Sequence, residues 1–311
     1  MKEERRDITL PLGHVSTAET LGAYYIDMRP ALVHYTDNLY GGSFDENGVP
    51  MTAGSEGPLY SPVNIAQYGF MLHADWLETG SAETMATLER CLAVLEELKT
   101  EDERHCVWWH GYRDRRYDIE PPWASAMAQG ELVSLYLRLW QALARPSLLE
   151  TASKAYRFMQ VPIEAGGIRR WDERGNLWLE EYPSREPSLV LNGFIYALLG
   201  LYDLYRVGRE PEVQQDINMC IDTLLARLPE FDSGYWSLYD LQKRELVRYY
   251  YQKNVHVPQM AVLAALTGNE VFATYKERWE RQITPLNYLR VRVMYRLRPR
   301  LHRVRRIWIG S

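Results

Sequence analysis

The run Leu179-Glu180-Glu181-Tyr182-Pro183 sets two neighbouring carboxyls beside a phenol. At neutral pH a carboxylate can accept a proton and a phenol can donate one, so the trio has the makings of a general acid/base set. Further along come Tyr239-Asp240 and the triplet Tyr249-Tyr250-Tyr251, with His256 five residues after the triplet. Read as an alternating strand, the triplet puts Tyr249 and Tyr251 on one side. Adjacent glutamates are as a rule solvated surface, so these residues carry chemistry only if the fold closes around them.

A second series is spaced by the repeat itself. Gln67, Gln129, Asn192 and Gln259 are separated by 62, 63 and 67 residues, and each falls in the first turns of an otherwise apolar segment. Buried amides need partners. Four at equivalent positions would converge near one end of a common axis. The competing reading is that each one pins a hairpin or a neighbouring loop.

The elements that must hold these residues follow from apolar spacing. Four pairs of helices are predicted: Pro62 to Glu78 with Ala82 to Leu98, Trp123 to Leu143 with Ser147 to Met159, Ser188 to Arg206 with Pro211 to Leu228, and Val255 to Leu266 with Asn269 to Arg281. Between them lie stretches rich in Tyr, Trp and Gly that read as β-hairpins: His34 to Met51, Val107 to Ile119, Gly167 to Tyr182 and Gly234 to Tyr251. The third has the turn Asp172-Glu173-Arg174-Gly175-Asn176. The unit is hairpin, helix, helix, used four times. Such pairs bury their apolar faces on their neighbours and curve. The expected fold is mainly α: an incomplete (α/α) toroid of four helix pairs, with the hairpins at one end forming a cleft. The expected division is an N-terminal hairpin segment over 1–58 packed on the toroid, the toroid over 59–285, and a basic tail over 286–311. A two-domain split is the weaker alternative, because no Pro/Gly/Ser linker is found.

Composition excludes several classes. With 46% hydrophobic and 25% charged residues in 311, the chain is neither disordered nor collagenous. Three cysteines without CxxC spacing (Cys91, Cys106 and Cys220) argue against a disulfide framework or a zinc site, and His105, Cys106 and His110 form a poor ligand set, so no metal is expected. A net charge of −5 argues against nucleic acid as a partner. Met1 to Leu12 has no apolar core of a signal peptide, and Leu189 to Leu204 reads as a buried helix and not a membrane span, so the expected compartment is the cytoplasm.

The stretch from Leu179 to Tyr205, LEEYPSREPSLVLNGFIYALLGLYDLY, resembles the C-terminal domain of D-glucuronyl C5-epimerases. So do Ile65-Ala66-Gln67-Tyr68-Gly69, Ser125-Ala126-Met127-Ala128-Gln129-Gly130 and Leu238-Tyr239-Asp240-Leu241, in family order from about residue 59 to 282. The resemblance implies an (α/α) toroid and the inversion of D-glucuronate to L-iduronate within a glycan such as heparosan, with no redox cofactor. The animal members also carry a β-sandwich. Gln67 and Gln129 are only 62 residues apart here, so that domain and its calcium are not carried over. The chemistry demands removal of a weakly acidic C5 proton, stabilisation of the resulting enediolate, and protonation from the opposite face.

By the same resemblance the acid/base and stabilising residues are Glu181, Tyr182, Tyr239 and one tyrosine of 249–251. Tyr251 is favoured, with one inserted residue, because the family tyrosine lies four before the histidine matching His256 and that position here is Gln252. The resemblance also places an arginine three residues after the YDL tyrosine, where this chain has Gln242, with Lys243 and Arg244 next to it. Arg113, Arg169, Arg185 and Arg248 are the substitutes considered for binding an acidic polysaccharide. Asn64, Gln67, Gln129, Asn192, His256 and Gln259 are further substrate-binding candidates, and Trp108, Trp109 and Tyr112 are candidates for stacking on sugar rings. A polysaccharide lyase using the same C5 carbanion is the main alternative; a glycoside hydrolase and a non-catalytic glycan-binding module are the others. Residues 290–306 hold eight arginines among apolar side chains and are followed by Ile307-Trp308-Ile309. That pattern fits an anionic lipid surface, a polyanion, or docking on the body or on a dimer mate. A homodimer is expected.

Overall fold

The computed structural model describes residues 8–36, 41–54 and 57–308. Residues 37–40, inside the first expected hairpin, and Ile309, in the expected tail, lie outside the described residues. After a short turn of helix, α1 (Leu32–Thr36), and a three-stranded sheet of β1 (Ser43–Phe44), β2 (Pro50–Ala53) and β3 (Pro58–Tyr60), four helix pairs follow. The first is α2 (Pro62–Thr79) with α3 (Ala82–Leu98). A sheet of β4 (Lys99–Glu101), β5 (Cys106–His110) and β6 (Trp123–Ala124) leads to α4 (Ala126–Leu143) and α5 (Pro146–Met159). The hairpin β7 (Arg169–Trp171) and β8 (Leu177–Leu179) leads to α6 (Leu191–Gly208) and α7 (Pro211–Arg227). The helical turn α8 (Tyr249–Tyr251) leads to α9 (Val257–Thr267) and α10 (Glu270–Arg281), and α11 (Pro285–Trp308) comes last.

The first helices of the pairs stand side by side: α2 packs on α4 and α4 on α6, each covered by its own partner. Gln259 Nε2 of α9 donates to the Asn192 carbonyl of α6 at 3.0 Å. The α4/α6 crossing depends on bare backbone. A Cβ on Gly130 would lie 2.4 Å from Ala197 Cα, and one on Gly200 would lie 2.4 Å from the Gly130 carbonyl oxygen. The architecture is the expected curved array of helix pairs with short strands between them.

Residues 8–31 run beneath this array from the fourth pair to the first. Leu10 N–H donates to Asn254 Oδ1 at 3.0 Å, and Asn254 Nδ2 donates to the Ile8 carbonyl at 3.1 Å. Midway, Asp203 of α6 is fully buried and accepts from Tyr25 Oη at 2.8 Å, Arg138 Nη1 at 2.5 Å and Arg206 Nη1 at 3.1 Å. Tyr24 then stacks on Phe70 of α2, with ring centroids 3.9 Å apart.

Four expectations need correction. The first hairpin begins later than His34, because Leu32–Thr36 is helix, and it continues past Met51 to a third strand, Pro58–Tyr60. The first helices of the second and third pairs begin later than predicted. Trp123 pairs with His110 as strand, and Ser188 to Val190 lie ahead of the helix, bound to other groups. Of the second hairpin, only Cys106–His110 is strand, and it pairs with β4 and β6; the remainder folds into a loop closed by the Asp114↔Ile119 bridge. The fourth hairpin is not a ladder. Isolated bridges join Asp232 to Ser237 and Leu238 to Leu246, and the three tyrosines form a helical turn continued by a wide turn over Gln252–His256. Tyr249 and Tyr251 therefore do not share a strand face. Gln252 holds this turn, because its Oε1 accepts from Ser237 Oγ at 2.5 Å and its Nε2 donates to the Trp279 carbonyl at 3.1 Å.

Candidate active site

The adjacent glutamates divide their duties. Glu180 turns into the protein and fixes the loop ahead of α6. Its carboxylate accepts from Ser188 Oγ at 2.5 Å, Ser188 N at 3.1 Å and Leu189 N at 3.0 Å, and pairs with Arg170 at 3.1 Å. Leu189 is held at φ 49°, an unfavourable conformation for a branched residue, by its N–H to Glu180 and its carbonyl to Leu241 N. The Glu180 carbonyl also accepts the Ala126 N–H that opens α4, at 3.0 Å. With its neighbour tied to the starts of both α4 and α6, Glu181 has little choice of position.

Its carboxyl lies against the first turn of α6. A Cβ on Gly193 would come within 2.2 Å of Glu181 Oε2, so the approach requires glycine there. The fourth unit docks on the same place through the Val190↔Asp240 bridge and the Leu191 N–H to Tyr239 carbonyl bond at 3.1 Å. That brings Tyr239 Oη to 3.1 Å from Glu181 Oε1, which accepts its proton. Tyr251 packs edge-on to Tyr239 with ring centroids 6.1 Å apart. Tyr182 lies near Tyr117 at 4.6 Å and Trp123 at 5.5 Å between ring centroids, and its hydroxyl is close enough to pull the Glu181 carboxyl down.

Burial dominates the electrostatics. It pushes the Glu181 carboxyl up to about 7, against the opposing pull of the Tyr239 and Tyr182 hydroxyls and the Arg116 charge. Burial, then the Glu181 charge, pushes Tyr251 up to about 12 and holds Tyr182 and Tyr239 well above the ordinary phenol range; the Arg248 charge opposes this at Tyr251. The cluster is thus one carboxyl that titrates near neutrality among phenols that stay protonated. That is the equipment for moving a proton on and off a carbon acid.

Three residues near this cluster escaped the sequence reading. Arg116 lies with its guanidinium 4.5 Å from the Tyr239 ring centroid and bridges Asp240 at 2.7 Å and Glu245 at 3.1 Å; Tyr117 Oη donates to the same Asp240 at 3.0 Å. Nothing in the run Arg113-Asp114-Arg115-Arg116 distinguishes one arginine from the next. Glu131 is fully buried in α4, and its Oε1 accepts from Gln67 Nε2 at 3.0 Å. Burial and the nearby Glu181 hold its carboxyl well above the usual range. Its signal was available: it is the one charge between Ala126 and Leu137.

The other candidates sit elsewhere or serve the scaffold. Gln129 Nε2 donates to the Cys106 carbonyl at 3.0 Å, and its Oε1 accepts from Trp108 N at 3.2 Å, so it pins β5. Asn192 offers its amide to Met127 Sδ at 3.8 Å, and Gln259 binds its backbone. Asn64 ties α2 to the first sheet through Thr52 Oγ1 at 3.1 Å. His256 is buried, depressed to about 3 by that burial, and bound to Ser237 Oγ at 2.7 Å. The four amides thus do not converge on one point; each holds a neighbour. Arg113 pairs with Asp118 at 2.6 Å and Glu120 at 3.1 Å on an exposed edge, and Arg169 turns to Asp216 of α7. Arg185 and Arg248 are exposed. Trp108 is wholly buried and Trp109 packs on Phe158 at 5.7 Å, so neither presents a face beside Glu181; Tyr112, edge-on to Trp123 at 5.6 Å, lies near enough to feel the Glu181 charge.

Comparison with known proteins completes the picture. A D-glucuronyl C5-epimerase of Caenorhabditis elegans is 32% identical over 184 residues, covering 53% of this chain and 30% of that protein. An uncharacterized protein of Methanocaldococcus jannaschii is 30% identical over 177 residues, covering 56% of each. The alignments thus span about a third and about half of these relatives' lengths. Among solved structures, the cellobiose 2-epimerase of Spirochaeta thermophila superposes with a TM-score of 0.53 at 13% identity, over 72% of this chain and 59% of that one, a likeness of fold. The family model described as D-glucuronyl C5-epimerase C-terminus matches residues 102–281. It begins later than the resemblance read from residue 59, leaving the first helix pair outside. It takes in more than half of the chain together with Glu181, Tyr182, Tyr239 and Tyr251, and the chain belongs to that family.

Proposed function

We propose that this protein inverts C5 of D-glucuronate residues, giving L-iduronate, within a uronate-containing polysaccharide such as heparosan. The observation that carries this reading is the meeting of Glu181 and Tyr182 from the third unit with Tyr239 and Tyr251 from the fourth, through the 3.1 Å Tyr239–Glu181 hydrogen bond and the Tyr239/Tyr251 ring contact. In the proposed reaction Glu181, ionised, takes the C5 proton. The C–H electron pair moves into the substrate carboxylate, and the enediolate is stabilised by neutral phenols and the Arg116 charge. Tyr251, protonated because its pKa stands at about 12, then gives its proton to C5 from the opposite face. Protons exchanged with solvent return Glu181 and Tyr251 to their starting states. Tyr182 and Tyr239 position and tune Glu181.

The test is incubation with heparosan in heavy water. Deuterium is expected at C5 of uronate residues with no change in chain length. Absence of exchange with every uronate polymer tried rejects the proposal. Shortened chains ending in an unsaturated uronate identify β-elimination from the same carbanion instead. Tyr251→Phe and Tyr239→Phe should each depress exchange strongly in a folded protein; near-wild-type rates in both refute these assignments.

A further inference from the structure

We infer that α11 is a docking element for an anionic lipid surface. Over its described side chains this helix has two apolar faces, and one of them packs on the body. Tyr288, Val291 and Tyr295, spaced i, i+3, i+7, face the body. Val291 is 2% exposed, Tyr288 meets Tyr249 with ring centroids 4.9 Å apart, and Tyr295 Oη donates to the Leu246 carbonyl. Arg290 lies over the Tyr235 ring at 4.4 Å from its centroid. Leu286, Leu289 and Val293 have the same spacing and occupy the opposite side, 67%, 57% and 43% exposed, with Met294 beside them. The sequence carries the stripe onward at helical spacing through Leu297, Leu301, Val304 and Trp308.

The charge selects the occupant. Between Pro285 and Trp308 there are eight arginines and no Asp or Glu. Of the 36 Lys and Arg in the chain this leaves 28 to face all 41 Asp and Glu, so the rest of the protein carries −13. Pairing α11 with its own copy would set sixteen positive charges together without one acidic partner. A soluble polyanion would satisfy the arginines but offers no apolar medium to four aliphatic side chains. A bilayer with anionic headgroups does both: the stripe enters the acyl boundary and the flanking Arg292 and Arg296 meet the headgroups. The acidic body is repelled by the same surface, which orients the molecule with α11 toward it. The inference is independent of the reaction proposed for the Glu181 cluster.

The test uses the full chain in co-sedimentation with vesicles of phosphatidylcholine alone and with a third of the lipid replaced by phosphatidylglycerol. Binding is expected to the anionic vesicles only, and to weaken as salt is raised. Leu286→Ser/Leu289→Ser/Val293→Ser, three changes on an exposed face that leave the thermal transition in place, should lower the bound fraction at least tenfold. Equal binding to both vesicles, or undiminished binding by the triple variant, overturns the inference. So does absence of vesicle binding by a chain that light scattering shows to be a dimer, a dimer the triple variant disperses.

Discussion

Glu181 does its proposed work because it is buried. An exposed glutamate is ionised at neutral pH and a weak base; this one is raised to about 7, where taking up a proton costs little. The rise has a definite sign for stability. The folded state binds the Glu181 proton more tightly than the unfolded chain, so the contribution is full below about 4.5 and is lost as pH rises through about 7. Two outcomes follow for Glu181→Gln. Deuterium exchange at C5 should fall by about 10²–10⁴-fold and lose its rise across pH 7. The variant should also lose less stability than wild type between pH 4.5 and 8 in thermal melts. The sequence made Glu181 legible through its motif and its neighbours. It could not tell Glu180 from Glu181 by chemistry, since what separates them is direction: one toward Ser188, the other toward Tyr239.

At the scale of elements, the junction of β8 and α6 decides the geometry. The third hairpin was readable because its Asp172-to-Asn176 turn closes on itself, Asp172 Oδ1 accepting from Arg174 N and Asn176 N at 2.9 Å each. The fourth was misread because alternating aromatics look like strand, while Gln252 offers contacts to Ser237 and Trp279 that only a wide helical turn can meet. Local pattern lost there to a distant side chain. Gly193 tests the junction. Its replacement by Ala would set a Cβ 2.2 Å from Glu181 Oε2 and displace the carboxyl. Exchange should drop by about 10²-fold, the usual result of an ångström's misplacement. Alanine suits a helix better than glycine, so the melting temperature should move little. A wild-type rate would show that Glu181 can work from elsewhere.

For the whole molecule, the repeat period foretold four helix pairs, and the apolar spacing located their axes within a few residues. What it did not foretell is the path of residues 8–31, which have no periodicity and make sense only against partners far along the chain. The Asp203 cluster carries that path. Asp203→Ala would leave Arg138 and Arg206 buried without their counter-charge, at a cost of about 3–5 kcal/mol. Denaturant titration should report a loss of that order, and a change under 1 kcal/mol would mean the cluster is not what binds the segment.

The bond between Leu10 and Asn254 spans 244 positions. A chain leaving the ribosome makes the near end of that clasp first and its mate only after three helix pairs have been synthesised. Until then the early segment has nothing on the fourth pair to hold. Closure is accordingly a late event of biosynthesis, and nascent chains halted before residue 254 should be cut by protease around Leu10 faster than the finished protein, in which Leu10 is buried and bonded to Asn254.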